Sequence, residues 1–158
     1  MRLAMLDGRV VLVIAATFGL MAAGSREAVS AIIGMLAAGA GAMELHGATK
    51  LREGDPQGVS WLVRSQLALL LVIVTYCVLR LTHFDESLAQ MVITPQVEQT
   101  FVDSGLSTDD IVPMLRKIYY GTYVIVGLVT VFYQGGMARY YHRRRGAVAR
   151  DLGVETNA

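Results

Sequence analysis

The sequence contains few residues that could form a disulfide, a metal site or a covalently attached cofactor site. It contains a single cysteine, Cys77, inside an apolar run, so no intrachain disulfide can form. No cluster of Cys and His residues has the spacing of a zinc, iron–sulfur or covalently attached haem site. We therefore predict no metal and no cofactor, and the cysteine content leaves the cellular compartment open.

The familiar catalytic motifs are missing as well. There is no P-loop, nucleophile elbow, HExxH helix or Rossmann glycine pattern. Cys77 is interpreted as a packing residue because no neighbouring base is evident. We predict that the protein is not an enzyme, with an intramembrane enzyme as the weakest hypothesis. A single short run of arginines without a recognisable fold argues against a nucleic-acid partner.

Charged residues are scarce for a chain of this length. They make up 17% of the 158 residues, whereas a soluble domain carries about 25%. Hydrophobic residues make up 54%, and they form continuous blocks, which favours helices over the alternating strands of a transmembrane barrel. The predicted fold class is all-α: a polytopic membrane protein built as an antiparallel four-transmembrane-helix bundle with a short helical extramembrane cap.

Four apolar segments are predicted to span the membrane, at about residues 4–24, 28–49, 60–82 and 113–138. The first has a competing interpretation as a signal peptide, with Ala22-Ala23-Gly24 as its cleavage site. We take it as a retained helix that forms a hairpin with the second span. No internal repeat is visible, which argues against an inverted-repeat transporter.

Residues 83–112 are too acidic to span and are predicted to form the cap outside the membrane. Within it, Thr94 followed by Pro95 predicts the start of a short helix, and Gly105 predicts its end. Pro113 is expected to kink or interrupt the start of the fourth span. Residues 1–141 then form the transmembrane domain, and residues 142–158 a basic, flexible tail.

The distribution of Lys and Arg predicts the topology. Ten of the fourteen basic residues fall in the N-terminal segment, in the connection between the second and third spans, or at the C-terminal end. The positive-inside rule therefore places both termini in the cytoplasm, which requires an even number of spans. The membrane is predicted to be a bacterial inner (plasma) membrane.

The second span carries a strip of small residues on one helical face. Ser30, Gly34, Ala37 and Gly41 follow at steps of four, three and four, and Glu44 continues the strip. Because this face has little side-chain bulk, another helix can approach its backbone closely. We predict that these residues pack helices together and that the second span lies at the centre of the bundle.

Glu44 is the first candidate for a functional side chain, because a carboxylate within a membrane helix is expensive to bury. It lies about 9 Å from Lys50 at the predicted boundary, within reach of water or of Arg64. Two interpretations stay open: a paired or hydrated structural acid, or a contact for an ion, a proton or a ligand. His46 lies about 200° around the helix, so a Glu–His metal pair is disfavoured.

Polar side chains also follow one side of the fourth span, and Gln66 is a buried candidate on the third. Their hydroxyl and amide groups are expected to point at protein rather than lipid. They either hydrogen-bond the helices together or line a hydrated path or small-ligand pocket. We call the full set the polar seam: Glu44, Gln66, Tyr119, Tyr123, Thr130 and Gln134.

A basic cluster follows the fourth span. Its arginines are expected to anchor the topology and to attract anionic lipid, by about 1 kcal/mol per cation. These residues are Arg139, Arg143, Arg144 and Arg145.

Two functional hypotheses follow. The first is a non-catalytic membrane module that acts through helix packing, either as a homo-oligomer or with another membrane protein as its partner. The alternative is a small channel or carrier for an ion, a proton or a small polar solute that uses the polar seam between helices 2, 3 and 4.

Overall fold

The computed structural model of the chain describes residues 2–84, 93–105 and 108–153. These residues form no strand, and their helices are α1 (Arg2–Gly24), α2 (Ala28–Arg52), α3 (Gln57–Thr82), α4 (Pro95–Asp103) and α5 (Thr108–Asp151). Four of them, α1, α2, α3 and α5, are long and apolar enough to cross a membrane. The predicted all-helical class is confirmed for these residues, and so is the presence of four helices with the length and apolarity of membrane spans, which suggests a multi-pass membrane protein.

The chain divides into two compact units. Unit 1 comprises the chain up to Thr75 together with the part from Val129 onward, and unit 2 comprises Tyr76–Leu128. Helices α1 and α2, most of α3 and the last part of α5 therefore belong to unit 1.

Helices α1 and α2 form an antiparallel hairpin in which the two backbones touch. The turn between them contains Arg26, whose φ of 60° lies in the left-handed region. A Cβ added at Gly34 would lie 2.5 Å from the Cα of Gly19, and one added at Gly41 would lie 2.8 Å from the backbone nitrogen of Leu12. Real Cβ atoms do not approach so closely, so only glycine fits at these two positions.

The rest of the small-residue strip is also turned toward protein. Ser30 is buried and donates a hydrogen bond of 2.9 Å to the carboxylate of Glu27, and Glu44 is buried as well. Ala37 is half-buried. All of these residues lie in unit 1, so the strip is covered within a single chain.

A second glycine contact joins α2 to α3. A Cβ added at Gly58 would lie 2.5 Å from the carbonyl oxygen of Gly47. Next to this contact, Ala48 and Leu62 form a buried apolar core. Met5 of α1, Leu51 of α2 and Tyr141 of α5 pack against this core. Because Leu62 belongs to α3, all four long helices contribute side chains to it.

Helix α3 begins at Gln57, three residues before the predicted start at residue 60. Gly58 lies in the added first turn, where the absence of a side chain permits the close contact with α2. The start is fixed by Asp55, whose Oδ1 accepts a hydrogen bond of 2.8 Å from the backbone N–H of Gln57. The other carboxylate oxygen of Asp55 lies 2.7 Å from the Nζ of Lys50.

The C-terminal prediction needs a larger correction. We predicted a flexible tail from residue 142, whereas α5 continues as a helix to Asp151. Ala and Arg are both strong helix formers, and they outweigh the single Gly146 in this stretch. Pro113 lies inside α5, which is assigned as one helix through it.

The short helix of the predicted cap is present. Helix α4 begins at Pro95 as expected, and Gly105 follows its end with a φ of 77°. The other parts of the cap at residues 85–92 and 106–107, like the last part of the tail at residues 154–158, lie outside the described residues.

The α1–α2 contact predicts a large difference between two glycine-to-alanine variants of the same helix. Gly34→Ala should lower the free energy of unfolding by about 1–3 kcal/mol, because the new methyl group forces the two backbones apart. Gly39→Ala is the matched control, since a Cβ there meets nothing within 4 Å. Equilibrium unfolding in detergent measures both, and equal stabilities would contradict the close contact.

Asp55 predicts a pH dependence at the start of α3. The hydrogen bond from Lys50, followed by that from the Gln57 N–H, holds the pKa of Asp55 below its usual range. Its stabilising contribution is therefore present above the unfolded pKa of about 3.9 and is lost as the pH falls through the lower folded value. Unfolding of the parent and of Asp55→Asn should differ by a constant amount from pH 5 to 7 and converge at lower pH. A difference that persists unchanged at pH 2 would contradict this role.

Candidate functional site

Three polar side chains from three helices meet inside unit 1. Glu44 on α2 and Gln66 on α3 are each only 1% exposed. Asp7 on α1 is partly buried, and its Oδ2 atom is completely covered. We call these three residues the acidic cluster.

The glycine contacts of the hairpin bring the two acids together. Gly8 follows Asp7 directly, and a Cβ added at Gly8 would lie 3.3 Å from the Cβ of Glu44. Helix α1 therefore crosses α2 at the level of Glu44. The two carboxyl groups are close enough to interact electrostatically, and the side-chain amide of Gln66 lies beside both of them.

Within the described part of the chain, several polar atoms of the acidic cluster lack a hydrogen-bond partner of standard geometry. They are Oδ2 of Asp7, Oε1 of Glu44, and both Nε2 and Oε1 of Gln66. No ion pair of Glu44 is found among these residues either. Arg64, the expected counter-charge, is exposed and lines a surface cavity instead.

Two tyrosines of α5 complete the surroundings of the acids. The phenol groups of Tyr133 and Tyr141 both lie within electrostatic range of Asp7 and Glu44. Tyr141 also packs against the apolar core next to the cluster. Tyr141 is half-buried, whereas Tyr133 is 52% exposed.

The chemistry of this arrangement follows from charge and burial. Removing a carboxylate from water costs several kcal/mol even after the protein relaxes, and two adjacent carboxylates repel each other as well. The Gln66 amide offers two N–H donors and one acceptor, but no charge. A single positive charge, either a proton shared by the two acids or a small cation, would make the cluster stable. No group of three His, Cys, Asp or Glu side chains that could hold a metal ion occurs among the described residues.

The other members of the polar seam are divided between the two units. Thr130 and Gln134 are buried in unit 1, and Oε1 of Gln134 lacks a hydrogen-bond partner within the described residues. Tyr119 and Tyr123 belong to unit 2. The structure thus assigns Glu44, Gln66, Thr130 and Gln134 to one unit.

In unit 2, Tyr119 and Tyr123 take part in an aromatic cluster at the end of α3. The Tyr119 hydroxyl donates to the carbonyl oxygen of Arg80 at 3.1 Å, and its ring lies 4.8 Å from that of Tyr123. Arg80 in turn donates from Nε to the Tyr76 hydroxyl at 3.1 Å. These contacts join α3 to α5 inside unit 2, as expected of polar groups that hold helices together.

The basic residues after the fourth span all lie on α5. Arg139, Arg143, Arg144 and Arg145 are exposed. The guanidinium of Arg144 lies 4.9 Å from the ring centre of Tyr140. Arg145 differs from the others because it lines the same surface cavity as Arg64.

Asp7 is the one member of the acidic cluster that the sequence analysis did not predict, because it lies near the start of the first span and belongs to none of the polar patterns. A usable signal was present in the hairpin itself. The turn is centred on Arg26, so a residue of α1 and a residue of α2 that are equally far from Arg26 in the sequence lie opposite each other. Asp7 is nineteen positions before Arg26 and Leu45 nineteen positions after it, which puts Asp7 beside Glu44.

No protein-family model, curated protein or solved structure matches this chain. Its function is therefore inferred from the geometry of the site.

Proposed function

We propose that this protein is a small channel or carrier that moves protons or a small monovalent cation across a membrane, with the acidic cluster as its binding site. One observation carries the proposal: buried Glu44 lies beside partly buried Asp7 of the neighbouring helix, and neither acid has a cationic partner among the described residues. Ionisable groups inside membrane helices typically mark ion paths and proton relays.

The proposal includes the arrangement of the helices in the membrane. We propose an antiparallel four-helix bundle in a bacterial inner membrane with both termini in the cytoplasm. The apolar core around Ala48 and Leu62, which has contacts from all four long helices, supports the bundle. The excess of Lys and Arg on the side of the termini supports the orientation.

Association with a second copy or with another membrane protein is the second candidate function. The strip on α2 does not favour it, because Gly34 and Gly41 contact α1 of the same chain. Other glycines do support it: a Cβ added at Gly39 on α2, or at Gly135 or Gly136 on α5, would meet nothing within 4 Å. Small residues left open in this way permit close approach of another membrane helix.

A flux assay tests the transport proposal. Purified protein in liposomes should carry protons, sodium or potassium above the level of empty liposomes, measured with a pH-sensitive or ion-sensitive dye inside. Glu44→Gln and Asp7→Asn should each reduce this flux at least about tenfold, because the remaining acid cannot hold the cation alone.

The matched control for the flux assay is Glu53→Gln. Glu53 is an exposed acid beyond the end of α2, so its removal should leave the flux within about twofold of the parent. Equal flux in the parent and in Glu44→Gln, or no flux above empty liposomes, would remove the acidic cluster from any transport mechanism.

Stability measurements distinguish a binding site from a structural contact. Glu44→Gln should raise the free energy of unfolding at pH 8 by about 1 kcal/mol or more, because the amide carries no charge that must be desolvated. If the variant is less stable than the parent, Glu44 instead stabilises the fold through its own contacts.

A further inference from the structure

A second site lies at the surface of unit 1, apart from the acidic cluster. The first turns of α3 and the last part of α5 enclose two neighbouring cavities of about 210 and 380 Å³. The cavities share Ser60, His142 and Arg145, so they form one groove, which we call the basic groove. The larger cavity falls in the range of ligand pockets, about 300–1,000 Å³.

The described ionisable residues that line the basic groove are all basic. Arg64 from α3 and both His142 and Arg145 from α5 line the smaller cavity. Neither cavity has an acidic residue among its described lining residues. An anion bound in the smaller cavity would be attracted to both guanidinium groups.

The donors in the basic groove suit a phosphate group. Guanidinium groups bind phosphate oxygens through paired hydrogen bonds, and the Ser60 hydroxyl is a further donor. The apolar part of the lining includes Val59, Val63 and Ala149. A ligand with a charged phosphate and an apolar body therefore matches both parts of the groove.

We propose that the basic groove binds the phosphate of an anionic ligand, with Arg64 and Arg145 as its two principal contacts. The position of the groove, beside the first turns of a candidate span, favours the headgroup of an anionic phospholipid over a free phosphate. This site is more specific than the general lipid attraction of a basic cluster, because it uses Arg64 on α3 and excludes Arg143. It also stands independently of the transport proposal, since none of its residues belongs to the acidic cluster.

Trp61, the only tryptophan in the chain, directly follows Ser60, and its ring lies 5.0 Å from that of His46 on α2. Its fluorescence serves as the readout for a brominated acyl chain bound near the start of α3. The experiment titrates full-length protein in neutral detergent with phosphatidylglycerol that carries brominated acyl chains, and measures quenching of Trp61 fluorescence. Brominated phosphatidylcholine is the lipid control. Working at about 0.5 M salt screens diffuse charge attraction but leaves direct contacts in place.

The variants distinguish a specific phosphate site in the groove from general electrostatic attraction between basic residues and the lipid. The double variant Arg64→Gln, Arg145→Gln should weaken the quenching by phosphatidylglycerol at least about tenfold. The control Arg52→Gln, Arg143→Gln removes the same charge from neighbouring exposed positions outside the groove and should change the affinity less than about twofold. Arg64→Lys, Arg145→Lys, which keeps the charge, should retain part of the binding and shows that the site still folds.

A competition arm identifies the source of the phosphate. If inorganic phosphate at millimolar concentration displaces the brominated lipid, the groove recognises phosphate itself, and if it does not, the groove requires the lipid. Equal quenching by the two brominated lipids, or equal losses in the groove and control variants, would overturn the proposal.

Discussion

The contact on which the structure of unit 1 depends is the direct approach of two backbones in the α1–α2 hairpin. Gly19 meets Gly34 and Gly8 meets Gly41, and a Cβ at Gly34 or Gly41 would not fit. In a membrane, helices gain nothing from burying apolar surface against each other, so close van der Waals contact of this kind must hold them together. The same contact sets the register of the hairpin, and the register places Asp7 beside Glu44. The packing of small residues therefore determines where the charges lie.

The charges in turn limit what the site can be. Buried Glu44 and Gln66 lie beside the partly buried Asp7, which leaves an excess of acceptors and no positive charge among the described residues. Such a cluster is unfavourable unless it gains a proton or a cation. The basic groove has the opposite character, with two arginines and no acid in its described lining. The two sites thus differ in the charge of the ligand that each would bind: a cation in the acidic cluster and an anion in the basic groove.

Much of the fold was predictable because it depends on local patterns. The lengths of the apolar segments predicted the four long helices, and Pro95 and Gly105 predicted where α4 begins and ends. The errors arose where a distant contact decides the outcome. Helix α3 begins before its predicted start, and Gly58 in this added turn makes the close contact with Gly47 of α2. Glu44 and Gln66 were predictable as buried polar residues in apolar helices, whereas Asp7 required the register of the hairpin.

The central claim is that the acidic cluster holds one exchangeable positive charge. Infrared difference spectroscopy of the carboxyl groups tests this most directly, with the purified protein taken between low and high pH and between sodium-free and sodium-containing buffer. The account predicts a carboxyl signal that responds to pH or to sodium and disappears in the double variant Asp7→Asn, Glu44→Gln. Identical difference spectra for the parent and the double variant would contradict it.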